Sequence, residues 1–441
     1  MDHAVSSDPA VQRQLDRLTM LSPGRDILGL ERITELLGRL GNPHRGLPPV
    51  FHVAGTNGKG STCAYLRAAV EAAGLTAHVY TSPHLVRFNE RIRIAGRLID
   101  DAQLAPLLAE VLDGSADIAP SFFEATTAAA FLAFARHPAD ACIVEVGLGG
   151  RLDATNVIER PVVCGIARLG IDHQSFLGDT LLQIAREKAG IAKPGVPLLM
   201  LDHSEALIDA AFEVAEAASA PFFPAGRRWM YAKYRERLNY RDEQGLLITP
   251  LPRLPGAHQR DNLALAIAML RHQDAVLLPL SALKAAPLWA QWPARLQLLD
   301  AGPLTALLPP GSRVWLDGGH NPSAGEAIAA HFRDGLPAAR PLHLVAGILA
   351  NKDPAGLLAP FADIATSLHA VPVPGHDHHP PESLALLSSD LGIAGRAAAD
   401  PADALARIAR DGDPASPPSV LILGSLYLAG GVLAVNDQSP D

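Results

Sequence analysis

Residues 50–62 read Val50-Phe51-His52-Val53-Ala54-Gly55-Thr56-Asn57-Gly58-Lys59-Gly60-Ser61-Thr62. An apolar β-rich run, a glycine turn and a lysine at the head of an Ala-rich segment predict strand, phosphate loop and helix in succession. Glycines let the backbone turn N–H groups toward phosphate oxygens, and the helix N-terminus adds a favourable dipole. On this reading Gly55, Thr56, Asn57, Gly58 and Gly60 line the phosphates. Lys59 pairs with the outer ones, and Ser61 or Thr62 reaches a metal ion. The ordinary phosphate-loop pattern is broken in two places. Val53 stands where its first glycine belongs, and Gly60 separates Lys59 from Ser61. The alternative is a glycine-rich turn that merely closes tightly.

Outward from this loop, β-rich runs alternate with longer Ala/Leu patterns, the signature of parallel βαβ construction. Strands are expected at 49–54, 78–82, 142–147, 162–167 and 197–201, with helices at 59–73, 101–112, 122–136 and 180–191. The mixed stretch 231–249, around Asp242-Glu243-Gln244-Gly245, reads as an antiparallel hairpin at a sheet edge. A second α/β series begins near 300, with strands at 314–317, 343–348, 366–371 and 420–423. The expected fold is therefore α/β in two parts. A mostly parallel, phosphate-loop domain occupies 1–296, and a smaller Rossmann-like domain occupies 297–441, with the junction near Trp292-Pro293-Ala294-Arg295.

Composition agrees with two soluble domains, because 441 residues exceed what one core usually serves. With 37 basic and 46 acidic side chains the net charge is −9, which argues against a general nucleic-acid binder and against docking on anionic lipid. A local basic pocket for an anionic small molecule remains compatible. Cys63, Cys142 and Cys164 fit neither a disulfide framework nor a zinc motif. The first residues have no basic start or apolar stretch, and no run of about 18 apolar residues occurs anywhere. A cytoplasmic protein without a membrane span is expected.

The variant loop GTNGKGST resembles the ATP loop of the Mur ligase superfamily, in its dihydrofolate synthase and folylpolyglutamate synthase branch. Further blocks follow in that family's order: LGLERI (28–33), TSPHLVRFNERIRI (81–94), EVGLGGRLDATN (145–156), IDHQSFLGDT (171–180), REKAGI (186–191), HQRDNLALA (258–266), PARLQ (293–297), LDGGHNP (316–322) and GSLYLAG (424–430). The resemblance spans nearly the whole chain. It implies an ATP-dependent amide ligase that adds L-glutamate to 7,8-dihydropteroate, and further L-glutamates to the γ-carboxylate of folates. An acyl phosphate is the implied intermediate, with ADP and phosphate released. Small molecules are then the partners, and the family implies a monomer. Polyglutamylation alone, a muramyl-peptide ligase, a phosphate-loop kinase and a non-enzymatic nucleotide-binding module are the competing readings. The muramyl ligases lack the LGLERI and RLDATN blocks.

By the same resemblance Ser82, Glu145 and His173 hold Mg²⁺, at carboxyl ends of parallel strands where such sheets place ligands. Taken singly, Glu145 fits a paired carboxylate and His173 a hydrogen-bonded loop histidine equally well. The REKAG lysine, Lys188, is implied to be carbamylated by CO₂ and to help hold a second Mg²⁺, whereas its bare context reads as a solvated helix lysine. Lys59, His173 and Lys188 are the implied catalytic residues. Asn262, Arg295, Asp317 and His320 match the nucleotide clamp, with ATP gripped from both domains; Gly319 stands where many relatives have Ala. The folate side is expected at Leu28, Gly29, Phe122, Phe123, Glu124, Ala125, Arg151, Leu152, Asp153 and Ala154, although Phe122 and Phe123 equally suit an ordinary core. The tract Gly375-His376-Asp377-His378-His379 looks like a metal site but reads better as a solvated loop.

Overall fold

The computed structural model describes residues 4–21, 28–115, 117–335, 340–413 and 415–440. The chain divides into two compact units. The first comprises Met1–Arg253 and His258–Gln291, and the second Leu254–Ala257 and Trp292–Asp441.

The first unit is built on eight strands: β1 (Val50–Ala54), β2 (Ala77–Tyr80), β3 (Ile92–Ile94), β4 (Arg97–Leu98), β5 (Ala141–Glu145), β6 (Val163–Ile166), β7 (Leu198–Met200) and β8 (Phe222–Pro224). Their spatial order is β4-β3-β2-β5-β1-β6-β7-β8. All pairs from β2 to β8 are parallel, and only β3 and β4 run antiparallel at one edge. Every residue of β1, β2, β5 and β6 is buried, which is why these strands read as continuous apolar runs and not as alternating ones. Helices cover both faces. The Phe122–Ala135 helix is buried along nearly its whole length and starts at a capping box, Ser121 with Glu124, worth about 1 kcal/mol.

The 231–249 region differs from the expected edge hairpin. It forms a separate antiparallel sheet of three strands, β9 (Met230–Tyr234), β10 (Arg237–Asp242) and β11 (Gly245–Pro250), in the order β11-β10-β9. Strand β9 was hidden because its side chains, four of five exposed, lack alternation. The buried face of this sheet carries Leu238, Tyr240, Leu247 and Thr249.

The second unit holds β12 (Gln297–Leu298), β13 (Arg313–Leu316), β14 (Leu342–Ala346), β15 (Ala365–Ala370), β16 (Ala394–Ala397) and β17 (Ser419–Leu423), in the order β12-β13-β17-β14-β15-β16. All but β12 are parallel. Its core includes Leu344, Leu368, Leu421, Phe332 and Phe361. Among the described residues no helix is long and apolar enough to cross a membrane.

Candidate functional site

Strands β2, β5, β1 and β6 lie side by side, so the loops at their carboxyl ends converge on one edge. The chain leaves β1 toward β2 on one side and returns through β6 on the other, which opens a crevice where open α/β sheets bind ligands. The loop at 55–58 occupies that crevice.

Its backbone is used differently from the expectation. The N–H groups of Thr56 and Asn57 both donate to the carbonyl of Arg168, at 2.9 and 3.1 Å. The Thr56 hydroxyl donates to the Gly170 carbonyl at 3.0 Å and accepts the Gly170 N–H at 3.1 Å. These two residues therefore fasten the loop to segment 168–170. An anion is left to the first-turn amides of the Lys59–Ala72 helix, which have no partner within the helix. Gly58 is required where it stands: its φ is +88°, and an added Cβ would overlap Asn262 Oδ1. Of the two candidate hydroxyls, that of Thr62 is buried and donates to the Gly58 carbonyl at 2.9 Å. Ser61 Oγ accepts from Gln259 Nε2 at 3.3 Å.

Around this loop the structure gathers several of the expected side chains. Lys59 Nζ lies 3.9 Å from Glu145 Oε1 and 3.4 Å from the Thr56 carbonyl. Glu145 is buried at the end of β5, and its Oε2 accepts the Ser82 N–H at 3.4 Å. Lys188 is buried on the Leu181–Ala189 helix and donates to the Gly55 carbonyl at 2.9 Å. Burial, with Lys59 second, pushes its ammonium down to about 7. His173 is exposed at the head of a short helix, in left-handed backbone, with Nε2 3.9 Å from Asp172 Oδ1.

On the nucleotide side, Asn262 sits in the first half of the His258–Arg271 helix and donates to Gln259 Oε1 at 3.2 Å. Gln259, fully buried, also accepts from the Tyr65 hydroxyl at 3.3 Å. Sequence reasoning passed over Gln259, although it lies inside the HQRDNLALA block. In the second unit Asp317 is buried and committed to its own backbone: Oδ2 accepts the Leu296 N–H at 2.8 Å and Oδ1 the Gly319 N–H at 2.7 Å. Asp317 thereby holds the turn that carries Arg295, whose Nη1 donates to the Ala294 carbonyl at 2.8 Å. His320 Nδ1 bonds the Gly318 carbonyl at 3.1 Å.

The folate candidates separate by environment. Phe122 belongs to the core, edge-on to Phe88 with the Arg91 guanidinium 5.4 Å from its ring centre. Phe123 is half-buried and lies over Gly147, where a Cβ would overlap its ring. Ala125 is buried beneath it in the same helix. Glu124 Oε2 closes the capping box at 2.6 Å and pairs with Arg32 at 3.0 Å, while Oε1 is buried without a hydrogen-bond partner. Leu28 and Gly29 precede the Glu31–Arg39 helix that carries Arg32. Asp153 is buried, and burial pushes its carboxyl up. Its oxygens take the N–H groups of Leu148 and Thr155 and the Thr155 hydroxyl, so it shapes the 147–155 loop. Ala154 is buried beside it, Leu152 is half-buried, and Arg151 reaches outward to Glu187 at 2.8 Å.

The histidine tract is folded back on its own backbone. His376 stacks on Tyr427 at 3.7 Å, His378 Nδ1 bonds the His376 carbonyl at 2.7 Å, and His379 Nε2 bonds the Lys352 carbonyl at 3.0 Å. Among the described residues no three His, Cys, Asp or Glu side chains form a group that could hold a metal.

No family model matches the chain. It is 35% identical over 365 residues to a dihydrofolate synthase/folylpolyglutamate synthase of Bacillus subtilis, covering 77% of this chain and 80% of that one. It is 33% identical over 424 residues to a folylpolyglutamate synthase of Lacticaseibacillus casei, covering 91% and 92%. A solved structure of Escherichia coli FolC in complex with DHPP and ADP superposes with a TM-score of 0.87 at 32% identity, covering 98% of both chains.

Proposed function

The chain belongs to the dihydrofolate synthase/folylpolyglutamate synthase family, and from that membership we propose that it is an ATP-dependent ligase joining L-glutamate to 7,8-dihydropteroate and to the γ-carboxylate of folates. The observation that carries the reading is the meeting of Lys59, Glu145 and Lys188 around one glycine loop at the carboxyl edge of a parallel sheet.

A carboxylate is a poor electrophile, so it needs activation before an amine can attack. In the proposed reaction the γ-phosphoryl of ATP passes to the carboxylate oxygen, and ADP leaves. The glutamate amine then attacks the acyl carbon, its proton departs, and phosphate is expelled. Lys59 is positioned to neutralise the transferring phosphoryl, a charge-stabilising role that costs little reorganisation. The first-turn amides of its helix hold the adjacent phosphates.

The donors at this edge fit a hard cation: Glu145, Ser82 and His173 offer oxygens and one imidazole, few enough that Mg²⁺ would keep waters and phosphate oxygens as further ligands. When bound, the metal would screen the triphosphate against the substrate carboxylate. Lys188 supplies what carbamylation requires, a buried amine whose lowered pKa leaves a substantial uncharged fraction at neutral pH. Its Nζ would bond to the carbon of CO₂ and release a proton, giving an anion for a second Mg²⁺. Asn262 with Gln259, and Arg295 with His320, are the side chains assigned to the nucleotide.

Phe123 and the unpartnered Glu124 Oε1 suit a flat pterin bearing N–H donors. Leu28, Gly29, Ala125, Arg151, Leu152, Asp153 and Ala154 complete the assigned wall, with Asp153 acting through the loop it shapes. The same reading has the chain working in the cytoplasm as a monomer.

The test is phosphate release from ATP with dihydropteroate and with tetrahydrofolate as separate substrates, followed by product analysis. Release should require glutamate in both cases. Turnover without glutamate would sink the ligase reading, and product from tetrahydrofolate alone would restrict it to polyglutamylation.

A further inference from the structure

The three-stranded sheet touches the nucleotide side through one carboxylate. Asp261, in the first turn of the His258–Arg271 helix, engages both of its oxygens. Oδ2 accepts from Arg168 Nη2 at 2.9 Å, and Oδ1 accepts from the Tyr231 hydroxyl of β9 at 2.9 Å. Arg168 is the residue whose carbonyl receives the Thr56 and Asn57 N–H groups, and its Nη1 donates to the Asp202 carbonyl at 2.9 Å. At the far end of the same helix, Arg271 makes a bidentate pair with Asp242 of β10, both contacts at 2.7 Å. The sheet thus brackets this helix at its two ends.

We propose that Asp261 is a positioning residue for the nucleotide: through Arg168 and Tyr231 it sets the distance between the phosphate loop and Asn262. The inference rests on the assignment of that loop and Asn262 to ATP. Asn262 follows Asp261 in the helix, and its Oδ1 occupies the space beside Gly58 where any Cβ would go. That fit leaves no slack, so a helix released at its first turn moves the amide away from the loop. The Arg271–Asp242 pair holds the opposite end, three turns away, and serves stability only.

The sign of the effect separates positioning from simple electrostatics. Removing a negative charge near a triphosphate site would by Coulomb's law tighten ATP binding. Loss of a positioning contact loosens it. Asp261→Asn and Tyr231→Phe are therefore compared with wild type for KM of each substrate, kcat, ADP affinity by calorimetry, and melting temperature. The expected result is a rise in KM for ATP and in Kd for ADP of roughly three- to tenfold, the equivalent of one hydrogen bond. KM for glutamate and for the pteroate should hold steady.

Arg271→Met should lower the melting temperature while leaving KM for ATP unchanged. Unchanged or tighter nucleotide binding in Asp261→Asn overturns the proposal, as does a uniform loss across all substrates that tracks the melting temperature. Lys59→Ala serves as the control. If it too leaves the affinity for a non-hydrolysable ATP analogue untouched, the ATP-site assignment itself has failed; if it alone weakens that binding, only the role of Asp261 has.

Discussion

Lys188 Nζ donates to the carbonyl of Gly55 across 2.9 Å, which joins the REKAG helix to the first residue of the phosphate loop. A buried ammonium with a single neutral acceptor is poorly compensated, and Lys59 nearby lowers its charge further. Replacing Lys188 with Ala should reduce turnover by about 10- to 100-fold, the scale at which metal-supporting groups act. If the working group is a carbamate, added formate or acetate should restore part of the rate in Lys188→Ala. Absence of rescue by any short carboxylate would count against it.

Lys59 is 16% exposed at its side chain and lies opposite the buried Glu145. Its Nζ lies 3.4 Å from the Thr56 carbonyl and 3.9 Å from a Glu145 oxygen, so removal breaks no tight bond. Lys59→Ala should keep the melting temperature within a few degrees while turnover falls by about 10²- to 10³-fold, the scale of losing one transition-state charge contact. Near-normal turnover would refute the phosphate-loop assignment.

Gly58 combines a left-handed φ of +88° with a neighbour, Asn262, that fills its Cβ direction. Gly58→Ala should cost about 1–3 kcal/mol, part from backbone strain and part from overlap. Chemical denaturation of Gly58→Ala, Asn262→Ala and the double variant separates the two parts. The double variant should be more stable than the sum of single effects predicts, because the overlap is gone. Strict additivity would mean that the side chains do not compete for that space.

Features set by neighbours along the chain are legible in the sequence. The strand, loop and helix at 50–72 lie where the glycine and lysine spacing puts them, and Glu145 ends β5, with Ser82 two residues past the end of β2, because buried parallel strands are continuous apolar runs. What stayed hidden depends on pairings across the fold. Arg168 and Asp261 are 93 positions apart, and nothing local in either marks the bond between them. Strand β9 carries no alternation, since four of its five residues are exposed and neither face is buried, unlike β10 and β11. The carboxylates show a different limit of sequence. A motif names Asp153, Asp317 and Glu124 as acids, but in the fold Asp153 and Asp317 accept backbone amides with both oxygens. Glu124 gives one oxygen to a helix cap and keeps the other unpartnered.

Buried histidines give the fold a defined acid response. His52, fully buried on β1, bonds the Thr155 hydroxyl at 2.8 Å through Nε2, and burial pushes its imidazolium down to about 3. Burial pushes His203 and His369 each down to about 4. An unfolded chain binds these protons near 6.5, so between the folded values and 6.5 the unfolded state holds more protons. Stability therefore rises with pH across that window and is lost as pH falls below 6.5. One pH unit below it, each histidine costs about 1.4 kcal/mol, two of them in the first unit and one in the second. Urea midpoints should fall steadily from pH 7 to pH 5.5, and His52→Asn, which cannot titrate there, should show a shallower slope than wild type. A midpoint independent of pH over that range would show that the histidines are not held neutral by burial.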